Sequence, residues 1–358
     1  MTLRSSIGGL AAILLSASLL GVACSSDSGA GQAGSLNFLT FENSLLPEAI
    51  TPFTEANPDL KLQATTFTSQ DEAISMLEGG FKADVVYACL TDTQRLVSGS
   101  LVQPIDTSRL DAWETLFPYF KDSAQIRVGD KVYMVPAFGG TTGLIYNPDE
   151  VPSGITSFAQ LLEDPALKGK VAIEDNPKYG IAMAALALGY EDPYDLTDAD
   201  LTQVKQWYAD RASQIKSFYS DESEFFDLFQ SGDIVAGFGY KGYDVGLAKQ
   251  GATVAFTPAS EGALTWTCGY SLGANAENLD GAYSLLEWFL TPEAQAVYAT
   301  KLNQMATNEA TLDALPQSVV EEIGLADPAQ LDSSIPTQVP ANFDRWEEVW
   351  QQITSASA

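Results

Sequence analysis

The sequence predicts an α/β protein in which helices pack against largely parallel sheets. Segments typical of strands and of helices alternate through most of the chain, and glycine or proline stands at many of their ends. Some strand segments are short apolar runs, for example Val-Ala-Ile at 171–173 and Ile-Val-Ala at 234–236. Such runs are typical of strands buried on both faces, as in parallel sheets that helices cover.

Residues 1–23 predict an export signal. Arg4 supplies a positive charge, residues 7–20 form an apolar run too short to serve comfortably as a membrane span, and small residues then lead to Cys24.

The residues around Cys24 predict a lipid anchor. Residues 20–24 read Leu-Gly-Val-Ala-Cys, which resembles a bacterial lipobox, in which the cysteine becomes the lipidated first residue of the mature protein. Residues 24–35 would then form a lipid-anchored flexible tether. The alternative is ordinary secretion with cleavage near Ala23. In both cases the mature protein lies outside the cytoplasm, and we expect lipid to be its only contact with the membrane.

The mature chain begins with the order strand, helix, strand, helix, strand. Pro47 is suited to the first turn of the first helix, and Ile50 and Phe53 are expected to face inward from it. The five segments are 36–41, 47 onward, 60–66, 70–77 and 83–87.

A segment rich in glycine and threonine separates two predicted strands at 132–136 and 144–147. Glycine permits close backbone approach and unusual dihedral angles, so Gly139, Gly140 and Thr141 are predicted to form a hinge between two lobes. The segment lacks the Gly-Lys-Ser/Thr ending of a phosphate-binding loop.

The alternation continues through the second half of the chain. A helix that starts near residue 197 has acidic residues before it and in its first turn, but they lack the glycine and terminal glutamate of an EF-hand and are predicted to cap the helix. The other predicted segments are helices at 157–162, 222–229 and 285–290 and strands at 171–173 and 234–239.

The charge and composition exclude several classes of function. The formal net charge is −29, which repels nucleic acid and anionic membranes, so no nucleic-acid partner is expected. The chain has no histidine, which excludes Ser/His/Asp triads, Cys/His dyads and zinc sites that use histidine. A secreted glycosidase could still use two acids from Glu174, Asp175 and Glu261, but nothing in their spacing supports such a pair. We therefore expect no enzyme, no cofactor and no metal.

Besides Cys24, the chain has two cysteines, Cys89 and Cys268, which are far apart in sequence. In an oxidising compartment they either form one disulfide or remain two small buried hydrophobic residues.

Several short segments carry a resemblance to a known family through their order and spacing. They are 156–162, 164–171, 189–190, 230–233, 258–266, 274–278 and 289–294. Over nearly the whole mature chain, the sequence resembles the solute-binding proteins of bacterial ABC importers, and within them the spermidine/putrescine-binding group. The resemblance implies a two-lobed periplasmic-binding-protein fold of type II, with a mixed sheet and flanking helices in each lobe and a ligand cleft between the lobes.

The resemblance also implies where the chain crosses between lobes, near residues 140, 266 and 318. The first lobe would comprise 36–140 plus 267–318, and the second 141–266 plus 319–358. Closure of the lobes through a few hinge residues is the expected motion.

In the polyamine binders that the chain resembles, aromatic side chains enclose the methylene chain and carboxylates hold the ammonium groups. Phe41 and Tyr240 stand where these proteins have tryptophan, and Trp266 matches its counterpart directly. The alternative for each is a packing role, in the core or at the hinge.

The carboxylates of that family are replaced in this chain. Asn176 and Tyr179 stand in place of two acids, Cys268 in place of an aspartate, Cys89 in place of a small hydroxyl residue and Gln304 in place of a cleft tyrosine. The acids that could substitute for them are Glu42, Asp92, Glu174, Asp175 and Asp244, of which Glu42 and Asp175 are taken into the predicted ligand-binding set.

Because the resemblance puts Cys89 and Cys268 around one cleft, it favours a disulfide on the cleft wall. Their use as soft metal ligands is the alternative, although histidines that would support it are lacking.

The function that the resemblance implies is capture of a small organic solute outside the membrane, by a monomer that delivers it to ABC permease subunits. Polyamines or related amines are the first expectation, and a zwitterionic or neutral compound, such as an amino-acid derivative or an opine-like molecule, is the alternative. A sensor or adhesion lipoprotein with the same fold is a further possibility.

Overall fold

The computed structural model describes residues 34–356. The predicted signal peptide at 1–23, the lipidation site Cys24 and nearly all of the predicted tether at 24–35 lie outside the described residues. Between residues 34 and 356, no helix is both long and apolar enough to cross a membrane.

Strands and helices alternate as the sequence predicts. The strands are β1 (Gly34–Thr40), β2 (Leu60–Thr66), β3 (Val85–Cys89), β4 (Val102–Gln103), β5 (Arg127–Val128), β6 (Lys131–Val132), β7 (Val135–Tyr146), β8 (Val171–Glu174), β9 (Ile215–Tyr219), β10 (Ala236–Tyr240), β11 (Ala255–Thr257), β12 (Leu264–Gly273), β13 (Met305–Ala306) and β14 (Ile335–Pro336). The helices are α1 (Pro47–Ala56), α2 (Gln70–Glu78), α3 (Leu90–Ser98), α4 (Pro118–Lys121), α5 (Phe158–Glu163), α6 (Pro177–Ala187), α7 (Asp198–Arg211), α8 (Glu222–Ser231), α9 (Tyr243–Lys249), α10 (Leu279–Leu290), α11 (Pro292–Leu302), α12 (Gln317–Glu322) and α13 (Phe343–Ala356).

The main sheet has the strand order β2-β1-β3-β12-β7-β10-β8-β9. It is mixed rather than largely parallel. The outer strands pair in parallel, as in β1 with β2 and β8 with β9, whereas β12 is antiparallel to both β3 and β7. The antiparallel centre arises because the long strands β7 and β12 run side by side in opposite directions between the two halves of the sheet.

The prediction of two strands joined by a glycine-rich segment was wrong, because β7 is one continuous strand. Gly139 and Gly140 pair with Thr267 and Trp266 of β12. A Cβ atom on Gly139 would lie 2.7 Å from the carbonyl oxygen of Trp266, so the missing side chain lets the two strands approach. Glycine here serves a close contact between extended strands.

The predicted capping at the start of α7 is confirmed. The Thr197 hydroxyl accepts from the Asp200 amide at 3.3 Å, and the Asp200 carboxylate accepts from the Thr197 amide at 2.9 Å. This reciprocal pair is a capping box, which satisfies two amides at the helix start.

The hydrophobic core is divided between two main clusters. One is built from residues 36–138 and 268–298 and the other from residues 144–264 and 346–353. Smaller clusters include Phe117 with Ile323 and Phe225 with Leu247. The long strands β7 and β12 contribute to both main clusters, so they form the connection between the two lobes.

Candidate ligand-binding site

A cavity of about 220 Å³ lies beside strands β7 and β12 and is lined from both main clusters; we call it the inner cavity. Its lining residues are Cys89, Leu90, Thr91, Asn176, Lys178, Tyr179, Tyr240, Trp266, Thr267, Cys268 and Thr337.

A larger cavity of about 980 Å³, here called the outer cavity, shares several of these residues. The shared residues are Cys89, Thr91, Lys178, Trp266 and Cys268, and the outer cavity adds Phe41, Ser69, Gln70, Asp71, Tyr87, Asp92, Gln94, Arg95, Ser98, Val339 and Phe343. The two cavities therefore belong to one cleft.

The ends of strands position most of the inner lining. Strand β3 ends at Cys89, β10 ends at Tyr240, and β8 ends at Glu174, two residues before Asn176. Because β8 and β10 are parallel neighbours, their carboxyl ends lie at the same edge of the sheet. This is the edge at which α/β sheets commonly bind ligands.

Trp266 lies against the backbone of β7. A Cβ atom on Gly140 would be 2.6 Å from the Trp266 Nε1 atom, so only glycine leaves room for the indole in this position. The Nε1 group is buried and has no hydrogen-bond partner in residues 34–356. The indole thus presents apolar surface to the inner cavity, and its polar edge is packed against the strand.

A disulfide joins Cys89 of β3 to Cys268 of β12. The two residues are directly opposite each other in the antiparallel register of the strands. Side chains in such pairs lie close together, so the pairing of the strands brings the sulfur atoms into reach. The disulfide lines both cavities.

Glu174 lies behind the inner cavity in a cluster of tyrosines. The Tyr240 hydroxyl donates to Glu174 Oε1 at 2.8 Å, and the Tyr179 and Tyr243 rings contact the Tyr240 ring with centroid distances of 5.7 Å and 5.5 Å. Burial raises the pKa of the Glu174 carboxyl, although the hydrogen bond from Tyr240 opposes this shift. Burial also raises the pKa of the Tyr240 hydroxyl, and the nearby Tyr179 and Glu174 side chains add to that shift.

Two further charged residues line the cleft on opposite sides. Asp92 lies in the first turn of α3 and Lys178 in the first turn of α6. Burial raises the pKa of the Asp92 carboxyl, and the positive charge of Lys178 opposes this shift. Lys178 takes part in none of the salt bridges found between residues 34 and 356.

Most of the residues predicted to bind ligand lie around the cleft. Phe41 lines the outer cavity, and its ring packs on Phe67 and Tyr87 with centroid distances of 4.4 Å and 4.8 Å. The inner cavity is lined by the predicted residues Cys89, Asn176, Tyr179, Tyr240, Trp266 and Cys268.

Three of the predicted residues line neither cavity. Glu42 is exposed in a short 3₁₀ turn. Asp175 is also exposed, and its carboxylate accepts a hydrogen bond of 2.7 Å from Trp350 Nε1. Gln304 is half-buried, and its side-chain oxygen has no partner among the described residues.

Sequence reasoning missed several lining residues. Leu90 and Thr91 directly follow Cys89, and Lys178 lies between Asn176 and Tyr179, so their positions next to predicted residues were an available signal. Thr337 had no such signal. It reaches the site because its hydroxyl donates to the Thr265 carbonyl at 2.8 Å, beside the start of β12.

The three acids considered for a glycosidase do not converge on the cleft. Glu261 accepts a hydrogen bond of 3.3 Å from the Ala159 amide at the start of α5, and Asp175 is bonded to Trp350. Neither they nor Glu174 are among the residues that line the two cavities.

A sequence model of the bacterial extracellular solute-binding proteins matches residues 48–321. The chain belongs to this family. Among its relatives is the putrescine-binding periplasmic protein PotF of Escherichia coli K12, which is 25% identical over 325 residues that cover 86% of each chain. The predicted family is thus confirmed, and the family description places its members outside the cytoplasm.

Solved structures of solute-binding proteins share the fold. The spermidine/putrescine ABC transporter substrate-binding protein PotD of Streptococcus pneumoniae superimposes with a TM-score of 0.81 at 18% identity, over 91% of this chain and 100% of that chain. The Atu4243-GABA receptor superimposes with a TM-score of 0.72 at 20% identity, over 91% of this chain and 98% of that chain. The predicted two-lobed fold of the solute-binding proteins is therefore confirmed.

Proposed function

We propose that this solute-binding protein captures a small organic amine in the cleft and delivers it to the permease subunits of an ABC importer. Putrescine and spermidine are the first candidates, since PotF and PotD are named for them. The observation that carries the proposal is the inner cavity itself, in which Trp266, Tyr240 and Tyr179 surround a small space near the Glu174 carboxylate. Aromatic faces attract ammonium groups and also cover methylene chains.

In this proposal the cleft closes between a first lobe of residues 36–140 plus 267–318 and a second lobe of residues 141–266 plus 319–358. The division of the core into two main clusters joined through β7 and β12 supports the boundaries near residues 140 and 266. Residues 320–331, in contrast, pack with Phe117 and Phe120 of the first lobe. Gly139, Gly140 and Thr141, at the middle of β7, would be the hinge. Closure around ligand is the usual motion of two-lobed binding proteins.

The protein would work as a monomer that is anchored through lipid on Cys24. The apolar run before this cysteine and the polar residues after it support the anchor. The net charge of −29 supports a protein that has neither nucleic acid nor an anionic membrane surface as a partner.

A zwitterion such as γ-aminobutyrate is the second candidate ligand. Lys178 favours it, because this residue lines both cavities and lacks a salt bridge within the described part of the chain. An ammonium group that forms no salt bridge among residues 34–356, beside the start of helix α6, is suited to a carboxylate. The amine end of such a ligand would still face the aromatic side chains.

The test is a calorimetric titration of the purified protein with putrescine, spermidine, γ-aminobutyrate, neutral amino acids and sugars. We expect binding of at least one amine. We also expect Trp266→Leu to weaken that amine about 5- to 30-fold, because a desolvated cation loses an aromatic face. Trp288→Phe provides a control, since Trp288 donates to the Ala49 carbonyl and lines neither cavity. Binding of sugars alone, or an unchanged amine affinity in Trp266→Leu, would contradict the proposal.

A further inference from the structure

We propose that Glu174 is the counter-ion for the amine end of the ligand. This inference rests on the proposed capture of an amine. It assigns the charge-neutralising role to a residue outside the three positions, Asn176, Tyr179 and Cys268, at which the family resemblance places carboxylates.

The other acids near the cleft are either paired with a cation or more distant from the inner cavity. Asp244 is paired with Lys241 at 2.5 Å and also accepts from the Gly242 amide at 3.0 Å. Asp92 lines the outer cavity and not the inner one, whereas Glu174 lines neither cavity but accepts hydrogen bonds from two side chains that line the inner one, those of Tyr240 and Asn176. Asp92 accepts one such bond, of 3.3 Å, from the Thr91 hydroxyl.

The carboxylate of Glu174 is incompletely satisfied. Its Oε1 atom accepts from the Tyr240 hydroxyl at 2.8 Å and from the Asn176 amide nitrogen at 3.4 Å. Its Oε2 atom is buried and has no hydrogen-bond partner in residues 34–356. A buried carboxylate oxygen without a donor is unfavourable, and an ammonium group would supply both charge and donors. The Asn176 contact is the longer of the two, so it is the one that an incoming ammonium would replace.

The groups around Glu174 include little positive charge. Tyr179, Tyr219, Tyr240 and Tyr243 face it from α6, β9, β10 and α9, and their hydroxyls are neutral because burial raises the pKa of each. On its own segment, the charge of Asp175 raises the pKa of Glu174 and that of Lys178 lowers it. Lys178 is thus the one cation that acts on this carboxyl within the described structure, and it is on the cavity wall.

The assignment predicts a dependence on pH with a definite sign. Burial raises the pKa of Glu174, so its neutral form persists to a higher pH than that of an exposed glutamic acid. An ammonium binds the ionised form better, so binding lowers this pKa and releases a proton. Amine affinity therefore falls as the pH drops through the raised pKa of Glu174 in the free protein.

The experiment compares the whole protein with Glu174→Gln by calorimetric titration with the tightest-binding amine. We expect Glu174→Gln to bind it about 10- to 100-fold more weakly, as loss of a charge-assisted hydrogen bond implies. Glu150→Gln is the matched control, since its charge change is the same and its half-exposed carboxylate lies 3.8 Å from Lys170, outside the cleft. It should keep the wild-type affinity.

A second readout measures proton release, from titrations in buffers of different ionisation enthalpy at several pH values from neutral downward. The unmodified protein and Asp92→Asn should both release protons, and Glu174→Gln should not. The Asp92 variant is needed because burial also raises the pKa of Asp92. If Glu174→Gln does not fold, proton release by Asp92→Asn still tests the role of Glu174, because this variant keeps Glu174 and lacks the Asp92 carboxyl.

The outcomes separate the two proposals. If the unmodified protein binds no amine, the proposed function and this inference both fail. If it binds an amine and Glu174→Gln keeps its affinity, or Asp92→Asn releases no proton, the role of Glu174 is overturned and the capture of amines stands.

Discussion

At the scale of single residues, the site depends on a glycine, which has no side chain, as much as on the tryptophan that lies against it. The Trp266 indole occupies the space that a side chain at position 140 would fill. The aromatic wall of the inner cavity therefore needs both the tryptophan and the glycine opposite it.

This contact predicts the effect of Gly140→Ala. The added Cβ would clash with the indole, so Trp266 must move into the inner cavity, and we expect lower amine affinity and a loss of about 1–3 kcal/mol in the free energy of unfolding. Titration and urea unfolding measure the two effects. In a double-mutant cycle with Trp266→Leu, the two effects should be clearly less than additive. Full additivity would mean that the glycine does not act through this indole.

The aromatic residues and acids of the cleft show which single residues of the site can be predicted from the sequence and which cannot. The aromatic residues of the cleft were predictable, because the resemblance assigns Phe41, Tyr240 and Trp266 to it and all three line at least one of the two cavities. The choice between Glu174 and Asp175 was not, because adjacent residues at the end of β8 point in different directions. Glu174 bonds to Tyr240 and Asp175 to Trp350, and only the packing of α13 decides this.

At the scale of elements, the disulfide ties together the two strands that form one wall of the cleft. Strands β3 and β12 are joined by ladder hydrogen bonds and by the bond from Cys89 to Cys268, which closes a loop with a sequence separation of 179 residues.

We expect the Cys89→Ser/Cys268→Ser double variant to lose about 2–4 kcal/mol in the free energy of unfolding, since the cross-link restricts the unfolded chain. Urea unfolding of the variant, compared with the wild-type protein before and after reduction, measures this loss. Reduction should lower the free energy of unfolding of the wild-type protein to a value close to that of the variant. Two reactive thiols at positions 89 and 268 in the denatured, unreduced protein would show that the bond is absent.

Elements defined by local signals were predicted well. The initial order of strands and helices follows from apolar patterns, and the start of α7 follows from a capping box within four residues. The continuity of β7 was not predictable in this way. Glycines at its centre suggest an interruption, but pairing with β12 over residues 135–141 and with β10 over residues 142–146 keeps the strand extended. Both partner strands lie about ninety residues or more further along the chain.

At the scale of the whole molecule, two hydrophobic clusters share the long strands β7 and β12, and the cleft lies beside these strands. Thr337, which follows β14, reaches the cleft only through the return of the chain to β12. Such long-range returns account for the lining residues that the sequence did not reveal.

The most direct test of the central claim is a crystal structure of the protein grown with the tightest amine found by titration. We predict that the ligand lies in the inner cavity, with its ammonium within hydrogen-bond distance of Glu174 and its carbon chain against Trp266 and Tyr240. A ligand bound elsewhere, or one in the cleft whose amine points away from these residues, would contradict this account.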